Sequence, residues 1–277
     1  MSLKEHSIGF VGAGNMANSL IRGLLAKGVS PQNLIAADIE PGKLETLKTE
    51  CGIQTADSLE IAASVDVLVM AVKPQHMASA CRQLSSSLQP QSLVISIAAG
   101  ITIAHLQDWL GQGLALVRCM PNTPALIGKG ATGLYANKHV SVEQKQLAEE
   151  LLTAVGLALW LDNEDGIDTV TALSGSGPAY FFLLMEALEE TAVSMGLDAD
   201  TAKKLTYQTA VGAAELAMRS NSSIAELRRQ VTSPGGTTEK AMQQFESGGF
   251  RNLVRQALLA AQNRSRELAE EFGKAET

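Results

Sequence analysis

Residues 8–16 read Ile-Gly-Phe-Val-Gly-Ala-Gly-Asn-Met, an apolar run that breaks into closely spaced glycines. Gly12 permits a tight turn, and Gly14 lets backbone approach an anionic pyrophosphate. Ala17 is the third small residue of a G-x-G-x-x-A pattern, where a helix must pack closely on a strand. Leu20, Ile21, Leu24 and Leu25 form a helical stripe after the turn. The open N–H groups and positive dipole end of that helix suit a phosphate. An apolar run at Leu34–Ala37 ends on Asp38, placed where an acid bonds a ribose 2′-hydroxyl. The unit predicts dinucleotide binding; the plainer alternative is an ordinary strand–helix turn beside a surface Asp.

Further segments carry polar or small residues at the ends of apolar runs. Ala71-Val72-Lys73-Pro74 closes one, Ser96-Ile-Ala-Ala-Gly100 closes the next, and Arg118-Cys-Met-Pro-Asn-Thr-Pro124 closes a third. Each alone is compatible with plain strand-to-loop chemistry; together they predict one edge built to hold a cofactor. Leu173-Ser-Gly-Ser-Gly-Pro-Ala-Tyr180 precedes an apolar helix that Ser174 or Ser176 can cap, with Pro178 in its first turn. In Val231-Thr-Ser-Pro-Gly-Gly-Thr-Thr238, paired glycines can aim successive N–H groups at a carboxylate. A helix–helix turn with a Thr N-cap fits that loop equally well. His6, His76, His105 and His139 all lie in the first half, so the second half lacks the usual acid–base group. Alcohol oxidation needs a base; reduction of a cyclic imine needs little beyond a protonated nitrogen and an aligned hydride donor.

The elements that must position these residues follow two grammars. Apolar strand-like runs recur at Ile8–Val11, Leu34–Ala37, Val65–Val72, Ser92–Ile97, Ala115–Cys119, Gly133–Ala136 and Leu157–Leu161, mostly separated by helical patterns. This predicts an α/β fold with a doubly wound, mostly parallel sheet over residues 1–162. Beyond Asp162 the patterns at Tyr180–Met195, Ala199–Ser220, Ile224–Val231, Thr237–Ser247 and Arg251–Phe272 read helical, so 163–277 is expected to form an all-helical domain. Tyr180–Met185 is apolar all round, which predicts burial on every side and a partner subunit over one face. Composition narrows the classes: 277 residues, 45% hydrophobic, 4% aromatic and a net charge of −7 give no basic or stacking surface for nucleic acid. Three unclustered cysteines and no membrane-length apolar run predict a cytoplasmic protein without a secretory leader, zinc site or disulfide framework.

Taken in order, Phe-Val-Gly-Ala-Gly-Asn-Met, Ala-Val-Lys-Pro, Ser-Ile-Ala-Ala-Gly, Met-Pro-Asn-Thr-Pro, Leu-Ser-Gly-Ser-Gly-Pro-Ala-Tyr and Ser-Pro-Gly-Gly-Thr-Thr resemble the pyrroline-5-carboxylate reductases, from about Ile8 to Leu268. The resemblance implies NAD(P)H-dependent reduction of 1-pyrroline-5-carboxylate to L-proline, the last step of proline biosynthesis. It also implies a Rossmann domain, a helical domain interlocked across a homodimer, and commonly a ring of dimers. Transferred by position, it assigns cofactor contacts to Val11, Gly12, Ala13, Gly14, Asn15, Met16, Asp38, Val72, Lys73, Pro74 and Ala99. It assigns substrate contacts to Glu164, Ser174, Gly175, Ser176, Gly177, Pro178, Ser233, Gly235, Gly236, Thr237 and Thr238, with Thr238 near the ring nitrogen as the catalytic residue. No metal is implied. Two positions depart from the family pattern: Asp38, with only Lys43 nearby, stands where many relatives favour NADPH with Ser, Thr or a base, and Asn221 stands where some carry an acid. A β-hydroxyacid dehydrogenase of related architecture is the rival enzyme, but Tyr180–Asp200 lacks the Lys such chemistry uses. The rival from another class is a non-catalytic NAD(H)-binding sensor.

Overall fold

The structure is a computed structural model, and it describes residues 3–274. Its centre is one sheet built from β1 (Ile8–Val11), β2 (Leu34–Ala37), β3 (Gln54–Thr55), β4 (Val67–Met70), β5 (Leu93–Ser96), β6 (Ala115–Met120), β7 (Gly130–Ala136) and β8 (Gly156–Trp160). The spatial order is β3-β2-β1-β4-β5-β6-β7-β8. Every neighbouring pair runs parallel except β6 with β7. Both faces are covered, which is why the strands read as unbroken apolar runs rather than alternating ones. Phe10, Val69, Ile95 and Val117 enter the core on one face; Val11, Leu68, Met70, Val94 and Leu116 enter it on the other.

The helices of the first half are α1 (Asn15–Ala26), α2 (Pro41–Cys51), α3 (Ser58–Ser64), α4 (Met77–Leu84), α5 (Ile103–Leu110), α6 (Val142–Thr153) and α7 (Gly166–Val170). A π-type turn over Thr171–Gly175 follows, then α8 (Gly177–Ser194), α9 (Ala199–Arg219), α10 (Ile224–Gln230), α11 (Thr237–Ser247) and α12 (Phe250–Lys274). Strand order reverses around β1, between β2 on one side and β4 on the other. The carboxyl ends of β1 and β4 therefore open the crevice in which such sheets bind ligands.

By compactness the chain divides into a unit of residues 1–176 with 261–277 and a second unit of residues 177–260. The cut falls later than the change of sequence grammar at Asp162, because α7 and the turn after it pack on the sheet. Gly133 of β7 shows the fit: a Cβ there would meet Val170 side-chain atoms at 2.9–3.0 Å.

One expectation needs correction. Ser174 does not cap α8; its hydroxyl donates back to the Val170 carbonyl at 3.1 Å, because helical geometry runs through the π-type turn almost to Gly177. The apolar start of α8, expected to be covered on one face by a partner subunit, is open in the single chain: Phe181, Phe182 and Leu183 are each 63–66% exposed. Its second unit offers few buried side chains of its own, among them Ala202. An apolar helix face left open in one chain is a surface for another. No helix of the described residues is long and apolar enough to cross a membrane.

Candidate functional site

The glycine turn is built by close approach. The Ala71 amide donates to the Val11 carbonyl, and the Gly12 amide to the Ala37 carbonyl, both at 2.8 Å. Gly12 adopts φ +100°, and a Cβ there would lie 2.6 Å from the Ala71 carbonyl atoms and 2.8 Å from the Val72 amide. Only glycine fits. Gly14 differs: its φ is −72° and a Cβ would meet nothing within 4 Å. It is the N-cap of α1 and supplies no side-chain cap, so the first-turn amides of that helix, at Asn15 and Met16, have no intrahelical acceptor. Ala17 is fully buried behind them. A cradle kept clear of side chain, lined by helix-end amides, fits a pyrophosphate.

Asp38 follows β2 and is largely covered. Its Oδ2 accepts the Ala13 amide at 2.7 Å, and its Oδ1 accepts the Glu40 amide at 2.8 Å. Lys43 Nζ lies 3.9 Å from Oδ1 and 2.5 Å from Glu40. The carboxylate thus braces the glycine turn, a role that sequence spacing did not reveal. Val72–Pro74 follow β4, with Pro74 opening a short 3-10 turn, and Ala99 lies between β5 and α5. Gly12–Met16, Asp38, Val72–Pro74 and Ala99 therefore gather at the carboxyl edge of neighbouring parallel strands.

Glu164 belongs to the same unit, and its partners were not anticipated. Its Oε1 accepts from Arg118 Nη1 at 2.9 Å and from the Ile103 amide at 2.8 Å. Arg118 Nη2 lies 3.6 Å from Asp168 Oδ1, which accepts the Ser265 hydroxyl at 2.7 Å. Asn122 donates to the Ser174 carbonyl at 2.9 Å and accepts the Ala131 amide at 2.8 Å. Gly175 leaves room for Met120, whose Cε would stand 2.6 Å from a Cβ there. Residues from β6 onward thus anchor the Ser174–Ser176 turn, while Gly177 and Pro178 open α8. His105, in the first turn of α5, closes a capping box with Thr102. Burial pushes its pKa below the ordinary histidine value and Arg118 adds to that, against the opposing pull of Asp108 and Glu164.

In the second unit, the Ser233–Thr238 loop turns at Gly235, φ +71°, and Gly236 is the N-cap of α11 without a side-chain cap. The Thr N-cap alternative is thereby excluded. The Gly235 amide donates to a carboxylate oxygen of Glu239 at 2.9 Å, and the Gly236 amide to the Ser233 carbonyl at 3.0 Å. The loop already holds one carboxylate, and Thr237 and Thr238 begin a helix whose first amides lack intrahelical acceptors. A broad cavity of about 930 Å³ lies elsewhere in this unit, along the open face of α8 and α9 between Phe182, Leu183, Glu186 and Tyr207. Its exposed apolar lining belongs to the uncovered helix surface.

Residues 164–268 match the family model described as pyrroline-5-carboxylate reductase dimerisation. Residues 7–100 match the model described as NADP oxidoreductase, coenzyme F420-dependent. A pyrroline-5-carboxylate reductase of Pseudomonas aeruginosa is 53% identical over 268 residues, covering 96% of this chain and 98% of the relative. A solved structure of a pyrroline-5-carboxylate reductase from Coxiella burnetii superposes with a TM-score of 0.91 at 46% identity, covering 95% of this chain and 98% of that one. A Plasmodium falciparum pyrroline carboxylate reductase solved with NADP bound gives a TM-score of 0.86 at 29% identity, covering 97% and 100%.

Proposed function

Because the chain belongs to the pyrroline-5-carboxylate reductase family, we propose that two glycine-bearing turns, one in each compact unit, divide its work. The activity is NAD(P)H-dependent reduction of 1-pyrroline-5-carboxylate to L-proline. A bound reduced nicotinamide dinucleotide supplies the hydride. The amides around Gly12–Met16 hold its pyrophosphate, Asp38 faces the ribose, and Val72–Pro74 with Ala99 line the path toward the nicotinamide. In the other unit, amides of the Gly235–Thr238 turn hold the substrate carboxylate, which takes the place of Glu239 on the Gly235 amide, with Ser233, Gly236 and Thr237 beside them, and Thr238 orients the ring nitrogen. Glu164 and the Ser174–Pro178 segment complete the substrate contacts.

The observation that carries this reading is the pairing of a side-chain-free cradle at Gly14 with a turn whose Gly235 amide already grips a carboxylate. Little acid–base machinery is required. A protonated cyclic imine is its own electrophile: hydride adds to the imine carbon, the C=N π electrons become the nitrogen lone pair, and the nitrogen keeps its proton. Orientation is then the main task, and well-oriented reactants gain about 7–11 kcal/mol.

The dimerisation region supports a homo-oligomer; interlocked helical domains covering α8, and a ring of such dimers, belong to the proposal, as does a cytoplasmic setting. The test is NADH oxidation on adding pyrroline-5-carboxylate, with NAD+ reduction by a β-hydroxy acid as control. Thr238→Ala should lower turnover about 10–100-fold, the loss of a hydrogen bond to a charged group, while NADH affinity stays within about twofold by the same reasoning. Near-normal turnover would remove Thr238 from the reaction. Rapid NAD+ reduction by the β-hydroxy acid, with no NADH oxidation by pyrroline-5-carboxylate, would overturn the assignment.

A further inference from the structure

Arg118 is a cation in an otherwise apolar strand, and its side chain is only 3% exposed. A buried guanidinium costs several kcal/mol unless it is paired, and a buried pair is weak support for stability when apolar residues can fill the same space. The cost needs another explanation. Arg118 Nη1 and the Ile103 amide both donate to Glu164 Oε1, at 2.9 and 2.8 Å, which leaves Oε2 to accept from elsewhere. Arg118 Nη2 lies 3.6 Å from Asp168 Oδ1, and that oxygen accepts the Ser265 hydroxyl at 2.7 Å.

Arg118, through its two carboxylate partners, therefore ties together three segments that are distant in sequence. The first is the end of the turn that carries Ala99, at Ile103. The second is the stretch from Glu164 to Asp168, which leads directly into the turn bearing Ser174 and Gly175. The third is the carboxyl-terminal part of α12, at Ser265. The first two are the cofactor-facing and substrate-facing turns of this unit.

We propose that Arg118 is a positioning residue for hydride transfer: it pins Glu164 to the Ile103 amide and so fixes the register between the Ala99 turn and the Ser174 turn. The inference rests on the reductase reading above. Misplacement by about 1 Å costs on the order of 100-fold in rate when orientation carries catalysis. Arg118→Met should therefore lower kcat about 100-fold, with the KM for NADH changed less than about threefold. Arg118→Lys, which keeps the charge but loses the fork that reaches both carboxylates, should recover about tenfold of that loss.

The deciding experiment is a double-mutant cycle in kcat with Glu164→Gln, each rate normalised to folded dimer. Residues that act as one device are strongly non-additive, so the double variant should be no slower than the slower single variant within about threefold. A double loss near the product of the two single losses overturns the proposal, as does an Arg118→Met variant with normal kcat and only a lowered Tm. Should Arg118→Met not fold, the cycle is run with Arg118→Lys, and additivity there overturns the proposal equally. A wild-type chain inactive on pyrroline-5-carboxylate would overturn both this inference and the reading beneath it; an active wild type with additive variants overturns this inference alone.

Discussion

Gly12 and Gly14 are two residues apart, and adding one methyl group to each should produce opposite failures. At Gly12 the backbone sits at φ +100°, where a non-glycine residue costs about 1–3 kcal/mol. The new Cβ would also press on the Ala71 carbonyl at 2.6 Å. Backbone cannot rotate away as a side chain does, so overpacking adds a further 1–3 kcal/mol or so. Gly12→Ala should lose about 2–6 kcal/mol of stability, a Tm decrease of roughly 5–15 °C for a protein of this size. At Gly14 the backbone is at φ −72° and the space is empty. Gly14→Ala should cost less than about 1 kcal/mol, chiefly the poorer N-cap. Its methyl group would instead occupy the volume proposed for the pyrophosphate. Losing one or two amide-to-phosphate hydrogen bonds, at about 1.5–3 kcal/mol each, weakens NADH binding by at least tenfold. Thermal unfolding without nucleotide and fluorescence titration with NADH separate the two effects. Equal Tm values for the two variants, or wild-type NADH affinity in Gly14→Ala, would refute the reasoning.

Other expectations follow from single residues. If the Asp38 carboxylate faces the ribose as proposed, a 2′-phosphate is repelled, and kcat/KM for NADH should at least match that for NADPH. Asp38→Ser should move the NADPH/NADH ratio upward by about tenfold while loosening the glycine turn; a strong wild-type preference for NADPH would contradict this. The fold favours the neutral form of His105, its pKa depressed first by burial, and its Nδ1 accepts the Thr102 amide at 3.3 Å. On acidification the unfolded chain takes up this proton first, so stability should fall as pH drops through about 6.5 toward the lower folded value, by at most about 1.4 kcal/mol per pH unit. Urea midpoints across that window should show a shallower slope for His105→Gln, which keeps the capping box; an unchanged slope would contradict the assignment. Burial pushes the Cys81 thiol up to about 12 and raises Cys119 as well, whereas Cys51 is half-buried. Thiol labelling of the native protein should stop at one cysteine, and prompt labelling of all three would show that the buried pair is accessible.

How much of this was legible in the sequence depended on how local the cause was. Ile8–Val11 and Leu34–Ala37 were readable to the residue because strands buried on both faces must be continuously apolar. β3 was not: Gln54–Thr55 is two residues long, too short for any periodicity to register. The first part of β7, Gly130–Thr132, was also missed. Its glycine weakens strand propensity, yet packing demands it, since a Cβ on Gly130 would stand 3.0 Å from the Val155 carbonyl. α7 and the π-type turn were hidden in what read as a boundary loop. At the site, residue types were visible and partners were not. Asp38 was recognisable as an acid at a strand end, but not as the acceptor for the Ala13 amide. Arg118 was visible only as the first residue of a strand-ending motif, and its partner Glu164 lies 46 residues away. The Thr237–Thr238 pair suggested a cap, and the actual acceptor on that loop is Glu239, four residues past Gly235.

The most direct measurement follows a labelled hydride. Wild-type protein is incubated with pyrroline-5-carboxylate and NADH carrying deuterium at the transferable position, and the product is examined by mass spectrometry and NMR. The account predicts L-proline with one deuteron on the former imine carbon. NADH consumed without label entering proline, or deuterium at any other carbon, would contradict it.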